Sequence, residues 1–115
     1  MAKQSKRIAP WHIKKILARG QMWRGDFFHA KTFFRSGDEP LEDYRLAVVV
    51  SKKTLAKAHE RNLCRRRIKS AFLESKAKAD GWDMVVFPDK RVVNCDFVEL
   101  KAEAKKCLDA LQSRR

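Results

Sequence analysis

Hydrophobic and polar positions along the chain change period several times, and each change predicts an element. Ile13, Ile16, Leu17 and Gly20 recur at i, i+3, i+4 and i+7. A short amphipathic helix is therefore expected to open near Pro10, a residue suited to a first helical turn, and to stop at Gly20. A turn at Arg24-Gly25-Asp26 leads into an aromatic-rich strand over 27–34, with Phe28, Ala30 and Phe34 on one parity and room for a short extra strand near 21–23. Ser36-Gly37-Asp38-Glu39-Pro40 has loop chemistry, and 44–50, ending in Val48-Val49-Val50, is the clearest strand. A long helix is expected over 54–78, capped by Thr54 and closed by Gly81. A strand over 82–87 ends at Pro88-Asp89. Asp96-x-x-Glu99 then resembles a capping box opening a last helix, whose buried stripe is Phe97, Leu100, Ala104, Cys107, Leu108 and Leu111.

The predicted order is α-β-β-α-β-α, which describes an α+β class fold: one α/β sandwich with helices packed on a small sheet. A length of 115 residues sets the expectation of a single domain spanning 1–115, with 1–6 and 113–115 frayed. No repeat or low-complexity tract interrupts it.

Composition adds little until charge is considered. The formal net charge is +13, an excess that repels itself in a compact chain and points to a polyanionic partner. The placement is more telling than the total. Within 1–35 the lone acid is Asp26, against Lys3, Lys6, Arg7, Lys14, Lys15, Arg19, Arg24, Lys31 and Arg35; within 52–69 the lone acid is Glu60. Residues 74–113 are nearly balanced. No apolar run approaches a membrane span and no signal-type stretch follows the start, so no membrane association and a cytoplasmic location are expected. Cys64, Cys95 and Cys107 are scattered, which fits small buried or half-buried thiols rather than a disulfide framework or zinc site. His12, His29 and His59 are equally dispersed, so no metal site is expected.

The long helix carries the functional signal. On a helical wheel Cys64, Ile68, Ala71 and Phe72 form the core side. Ala58, Asn62, Arg65, Arg66 and Lys69 form a second stripe, with Arg61, Arg65 and Lys69 stacked along one edge. Like charges four apart destabilise an isolated helix, and solvated faces normally interleave Glu with Lys. Asn62, a poor helix former, can donate and accept toward phosphate, ribose or a base edge. The stripe reads as a surface for RNA phosphates.

These residues resemble a known signature. Val48-Val49-Val50-Ser51-Lys52-Lys53, followed by Lys57-Ala58-His59-Glu60-Arg61-Asn62-Leu63-Cys64-Arg65-Arg66-Arg67-Ile68-Lys69, is similar to the strand-Ser-Lys-Lys and Arg-Asn-Arg helix of the bacterial ribonuclease P protein family. Elements arrive in family order over nearly the whole chain. Leu63 replaces the second arginine of the triplet, Arg65 a usual lysine and Lys69 a usual arginine. Ile13 and Leu17 hold places commonly taken by phenylalanines, and Pro88-Asp89-Lys90 replaces Ala-Arg-Lys.

The resemblance implies a ribosomal-protein-like fold with a left-handed β-α-β crossover, against the general handedness rule. It implies that Lys52, Lys53, Lys57, Arg61, Asn62, Arg65, Arg66 and Lys69 bind the catalytic RNA of ribonuclease P. A cleft containing Ile13, Leu17, Phe28 and Lys31 would take the single-stranded 5′ leader of precursor tRNA. Mg2+ would be used by the RNA subunit, with no metal ligated by the protein, no catalytic residue in it and no further protein partner. The residues agree: the acids form no spaced pair for two-metal chemistry, and the loop group Asp38, Glu39, Glu42 and Asp43 reads as a solubilised turn. His12 and His29 could approach each other in space, but no catalytic acid–base pair is expected of them. The alternative is a ribosomal or ribosome-associated RNA-binding protein of similar fold. A double-stranded RNA-binding domain would have three consecutive strands between two helices, and a helix-turn-helix protein a short helix pair around a tight turn.

Overall fold

The computed structural model describes residues 8, 10–35 and 43–114. Residues 1–6 and the loop 36–40, with Asp38, Glu39 and Glu42, lie outside the described residues. Helix α1 (Pro10–Arg19) is followed by strands β1 (Gln21–Arg24), β2 (Phe28–Phe34) and β3 (Arg45–Val48). Helix α2 (Ala58–Ser75), strand β4 (Trp82–Pro88), a 3-10 helix (Lys90–Val93) and helix α3 (Phe97–Ser113) complete the chain. The extra strand allowed for near 21–23 is β1, so the order is α-β-β-β-α-β-α; three consecutive strands do stand between two helices, and what separates the fold from a double-stranded RNA-binding domain is the further strand β4 after α2, paired parallel with β3. One four-stranded sheet runs β1-β2-β4-β3. The β1/β2 and β2/β4 pairs are antiparallel, whereas β3 lies parallel to β4. A parallel pair needs a crossover, and α2 supplies it.

Strand β4 is central and buried on both sides, from Trp82 through Val86. Alternation sorts its neighbours onto two layers. Phe28, Ala30, Leu46, Met84 and Val86 join the core built with α2 and α3. Val85, with Phe33, Ala47 and Phe87 at its margins, meets Ile16 of α1 and Ile8, which precedes that helix. Cys64, Ile68, Ala71 and Phe72 are the buried residues of α2, as the wheel predicts. The predicted stripe of α3 is buried from Leu100 to Leu111, with Phe97 packed partly against it.

Helix ends differ from the pattern reading. Thr54 does not cap α2. Its N–H bonds Ser51 O at 3.1 Å and Ser51 Oγ at 3.2 Å in a turn, and the helix begins four residues later with Lys57 as an N-cap that has no side-chain bond. The physical reason is Leu55: it is drawn into the core with Val50, and the chain must turn before it can coil. At the other end Lys76, not Gly81, closes α2 in the left-handed region (φ 57), its N–H bonding Leu73 O. Gly81 (φ 87) turns the chain into β4. Asp96 caps α3 by accepting from Val98 N at 2.9 Å. Ser113, expected to fray, is the last residue of α3; its hydroxyl donates to Asp109 O at 3.0 Å.

Two buried carboxylates lock this arrangement. Asp83 on β4 receives both Arg45 Nε and Nη2 at 2.7 Å, binding β3 to β4, with Arg35 Nε at 3.5 Å. Glu103 on α3 accepts the backbone N–H groups of Asp26 (2.8 Å), Phe27 (2.9 Å) and Phe28 (3.0 Å). These donors lie in the β1–β2 turn, and a carboxylate satisfies them together. Gly25 makes room for this carboxylate: a Cβ would sit 2.5 Å from Glu103 Oε2 and 2.7 Å from Trp23 Cζ3, so a larger residue would have to displace both side chains.

Glu103→Ala strands three donors at a partly buried turn, and should lower the unfolding free energy by about 3 kcal/mol. Urea denaturation measures this. A loss below about 1 kcal/mol would show that water replaces the carboxylate there.

Candidate RNA-binding surface

The sheet delivers the basic segment at one place. Val49 N continues the ladder to Val86 O at 2.9 Å, after which Ser51, Lys52 and Lys53 turn outward and are exposed, as is Lys57. Because Cys64, Ile68 and Phe72 hold the inner side of α2, Asn62, Arg66 and Lys69 are exposed on its outer side and Arg61 and Arg65 partly so. The strip is turned to solvent. Among the described residues, the ion pairs are Arg35 and Arg45 with Asp83, Arg91 with Asp89 and Lys105 with Asp109. None involves a cation of α2.

The cations of α2 are not equivalent. Arg61 Nη1 donates to Leu55 O (2.9 Å) and Ala56 O (2.8 Å), closing the segment that enters the helix. Arg65 Nη1 donates to Asn62 Oδ1 at 2.9 Å, which orients both side chains and leaves the Asn62 amide hydrogens without an acceptor among the described residues. Arg66 and Lys69 have no hydrogen-bond partner among the described residues. Arg67, outside the predicted set, turns away from the strip to donate to Cys95 O and lies over the Phe97 ring, 5.8 Å from its centroid.

The second predicted group is only partly brought together. Ile13 is half-buried, Leu17 is 41% exposed, and both are on α1. Lys31 lies on the sheet face toward α1, its Nζ 3.4 Å from Gly20 O. Phe28 does not belong with them. It is 3% exposed and packs on the opposite face, its ring 5.5 Å from those of Trp23 and Phe72. Phe28 and Lys31 are three apart in one strand, so their side chains must take opposite faces; parity could have shown this from sequence. The aromatic groups that do share the α1 side are His29, stacked on Phe87 at 5.2 Å and 18°, and Phe33, 5.1 Å below Lys15 Nζ. Burial, and then the charge of Arg24, hold the His29 pKa below its ordinary value, so this stack is uncharged at neutral pH. A cavity of about 340 Å³, lined among others by His29, Phe87, Asp89 and Thr54, connects this face with the turn before α2.

Two of the three thiols are held in the unreactive form. Burial pushes the thiols of Cys64 and Cys107 up to about 11 and about 12, so both stay protonated at neutral pH. The His12 ring lies against Trp11 at 3.7 Å and His29 against Phe87. Among the described residues no group of three His, Cys, Asp or Glu could hold a metal ion, and no helix is long and apolar enough to cross a membrane.

The chain resembles the ribonuclease P protein component of Stutzerimonas stutzeri, 30% identical over 69 residues that cover 60% of this chain and 53% of the relative. It is 32% identical to that of Ectopseudomonas mendocina over 78 residues, covering 68% of this chain and 58% of the relative. The matched region thus spans somewhat more than half the length of these relatives. In fold it is similar to the RNase P protein of Staphylococcus aureus (TM-score 0.72, 19% identity, covering 94% of this chain and 95% of the other). It is equally similar to that of Thermotoga maritima (TM-score 0.72, 23% identity, 94% and 96%). The ribosomal alternative is not favoured by any of these likenesses. The family described as Ribonuclease P matches residues 1–112, and the chain belongs to it.

Proposed function

We propose that this protein is the subunit of a bacterial ribonuclease P that binds the catalytic RNA and the 5′ leader of precursor tRNA, assisting endonucleolytic removal of the leader in the cytoplasm. The observation that carries the reading is the strip on α2, which forms no ion pair among the described residues and is continuous with exposed Lys52 and Lys53. A free protein gains nothing from holding these cations apart from its own acids, whereas phosphates neutralise them and release condensed counterions. Arg65, Arg66 and Lys69 serve as direct phosphate contacts, Asn62 as a donor to ribose or phosphate, and Arg61 as a contact that also holds the entry to the helix. The leader lies along the α1 side of the sheet, between Leu17 and Lys31 and across the His29–Phe87 stack. The hydrolysis belongs to the RNA with its Mg2+; the protein supplies binding energy and charge neutralisation.

Added to a bacterial ribonuclease P RNA at low magnesium, the protein should restore 5′ cleavage of precursor tRNA. Absence of stimulation at every protein concentration rules the reading out. Arg65→Ala should weaken RNA binding and reduce the salt slope by about one without changing stability. Arg61→Ala should weaken binding and also lower the melting temperature, because Leu55 O and Ala56 O lose their donor; equal stability of the two variants refutes the distinction. Leu17→Phe adds an aromatic face beside Lys31 and should raise the preference for leader-bearing over mature tRNA by a factor of about five or more. An unchanged preference means that the leader does not touch α1.

A further inference from the structure

A second feature lies on the flank of α2, away from the α1 face. A shallow cavity of about 330 Å³ is lined by Leu63, Arg66, Arg67, Ser70, Glu74 and Phe97. We infer that this cavity holds one unstacked guanine base of the bound RNA. The inference rests on the reading of α2 as an RNA contact and adds to it a site that reads a base.

Three observations converge. First, the cavity is continuous with the strip, because Arg66 belongs to both; RNA held there passes the cavity mouth. Second, its wall suits a flat ring. Leu63 and Phe97 are half-buried, and the Arg67 guanidinium is fixed over Phe97 by its bond to Cys95 O. Unpaired bases stack on aromatic rings and on guanidinium planes. Leu63 stands where the family motif has arginine, so the apolar floor is a property of this chain. Third, Glu74 lines the same cavity and, among the described residues, has neither an ion pair nor a hydrogen bond. A bare carboxylate opposes a phosphate in the cavity. An apolar protein segment would also bury Arg66 and Glu74 at a desolvation cost.

A carboxylate selects among bases by donor count. Guanine presents N1–H and N2–H side by side, two parallel donors for two oxygens. Adenine and cytosine each offer an amino group beside a ring acceptor that the carboxylate repels, and uracil offers one N–H between two carbonyls. Guanine O6 is left for a cation at the rim, and Ser70 can donate or accept.

Glu74→Gln separates this role from simple electrostatics, because the two predict opposite signs. Removing a negative charge strengthens RNA binding if Glu74 only perturbs the field. If it reads guanine, affinity for the ribonuclease P RNA falls about tenfold while the salt slope stays unchanged. Glu74 is exposed, so the variant folds. In parallel, isotope-labelled protein without RNA is titrated with GMP, AMP, CMP, UMP and inorganic phosphate. GMP should move the NMR signals of Leu63, Ser70 and Phe97 several-fold more than the others, and Glu74→Gln should erase the preference. Unchanged or tighter RNA binding by the variant, or equal shifts from phosphate and GMP, overturns the inference. Should the wild-type protein bind no ribonuclease P RNA, the functional reading fails, and the nucleotide titration still decides the cavity.

Discussion

The parallel pairing of β3 with β4 is the constraint from which the rest follows. Two parallel neighbours cannot be joined by a hairpin, so the chain must leave the end of β3, cross one face of the sheet and return. Helix α2 is that crossing. Its inner side is fixed by the core, and its outer side therefore presents whatever the remaining positions carry. Asp83 sets the register: with Arg45 opposite it in the ladder and two bonds of 2.7 Å between them, a slip of one residue would bury a carboxylate without its partner. A buried pair contributes little net stability compared with apolar packing; its effect here is to make other registers costly. Because Val48 pairs with Val86, the turn carrying Lys52 and Lys53 emerges at the same end of the sheet as Phe87.

Charge is distributed to complement this geometry. Of the acids in the second half of the chain, Asp83 holds two arginines, Glu103 holds three backbone amides, Asp89 pairs with Arg91 and Asp109 with Lys105. These four acids are thereby occupied away from the cations of α2, and Glu60 and Glu74, on α2 itself, form no ion pair with them among the described residues. Repulsion along α2 is offset in the free protein by solvent and mobile counterions, and in a complex by phosphate. Arg61 and Arg67 show a second way of managing excess charge, with guanidinium groups spent on carbonyls rather than carboxylates. Arg61 ties down the entry to α2 and Arg67 ties the helix to the segment before α3, so the exposed cations project from a fixed frame.

What the sequence disclosed, and what it hid, follows from the range of each interaction. The inner side of α2 and the stripe of α3 were legible because burial repeats with helical period. The basic strip was legible for the same reason, and its placement on the opposite side of α2 follows from that period. The start of α2 was not, since it depends on where Leu55 finds the core. The role of Glu103 was hidden because its three partners lie more than seventy residues away; in the pattern it is one more polar residue on a helix. Phe28 is a different case. Strand parity sets it opposite Lys31, whereas His29 and Phe33 share the parity of Lys31 and lie on the α1 side.

That exchange bears on how the α1 side of the sheet can work. Where the family commonly offers phenylalanines from its first helix, this helix offers Ile13 and Leu17, and the flat surfaces lie on the strands instead. His29 and Phe87 belong to adjacent antiparallel strands at paired positions, so their stack is held by the ladder and costs little side-chain entropy to present. An uncharged imidazole gives dispersion and a π-face without drawing phosphate into the stack; Lys31 and Lys15 supply the charge beside it. In the proposed reading, contact with a single strand is then divided between a rigid platform in the sheet and an aliphatic wall on the helix. Stacking selects for unpaired bases and the wall excludes water, and a sheet platform keeps this selection when α1 shifts by small amounts.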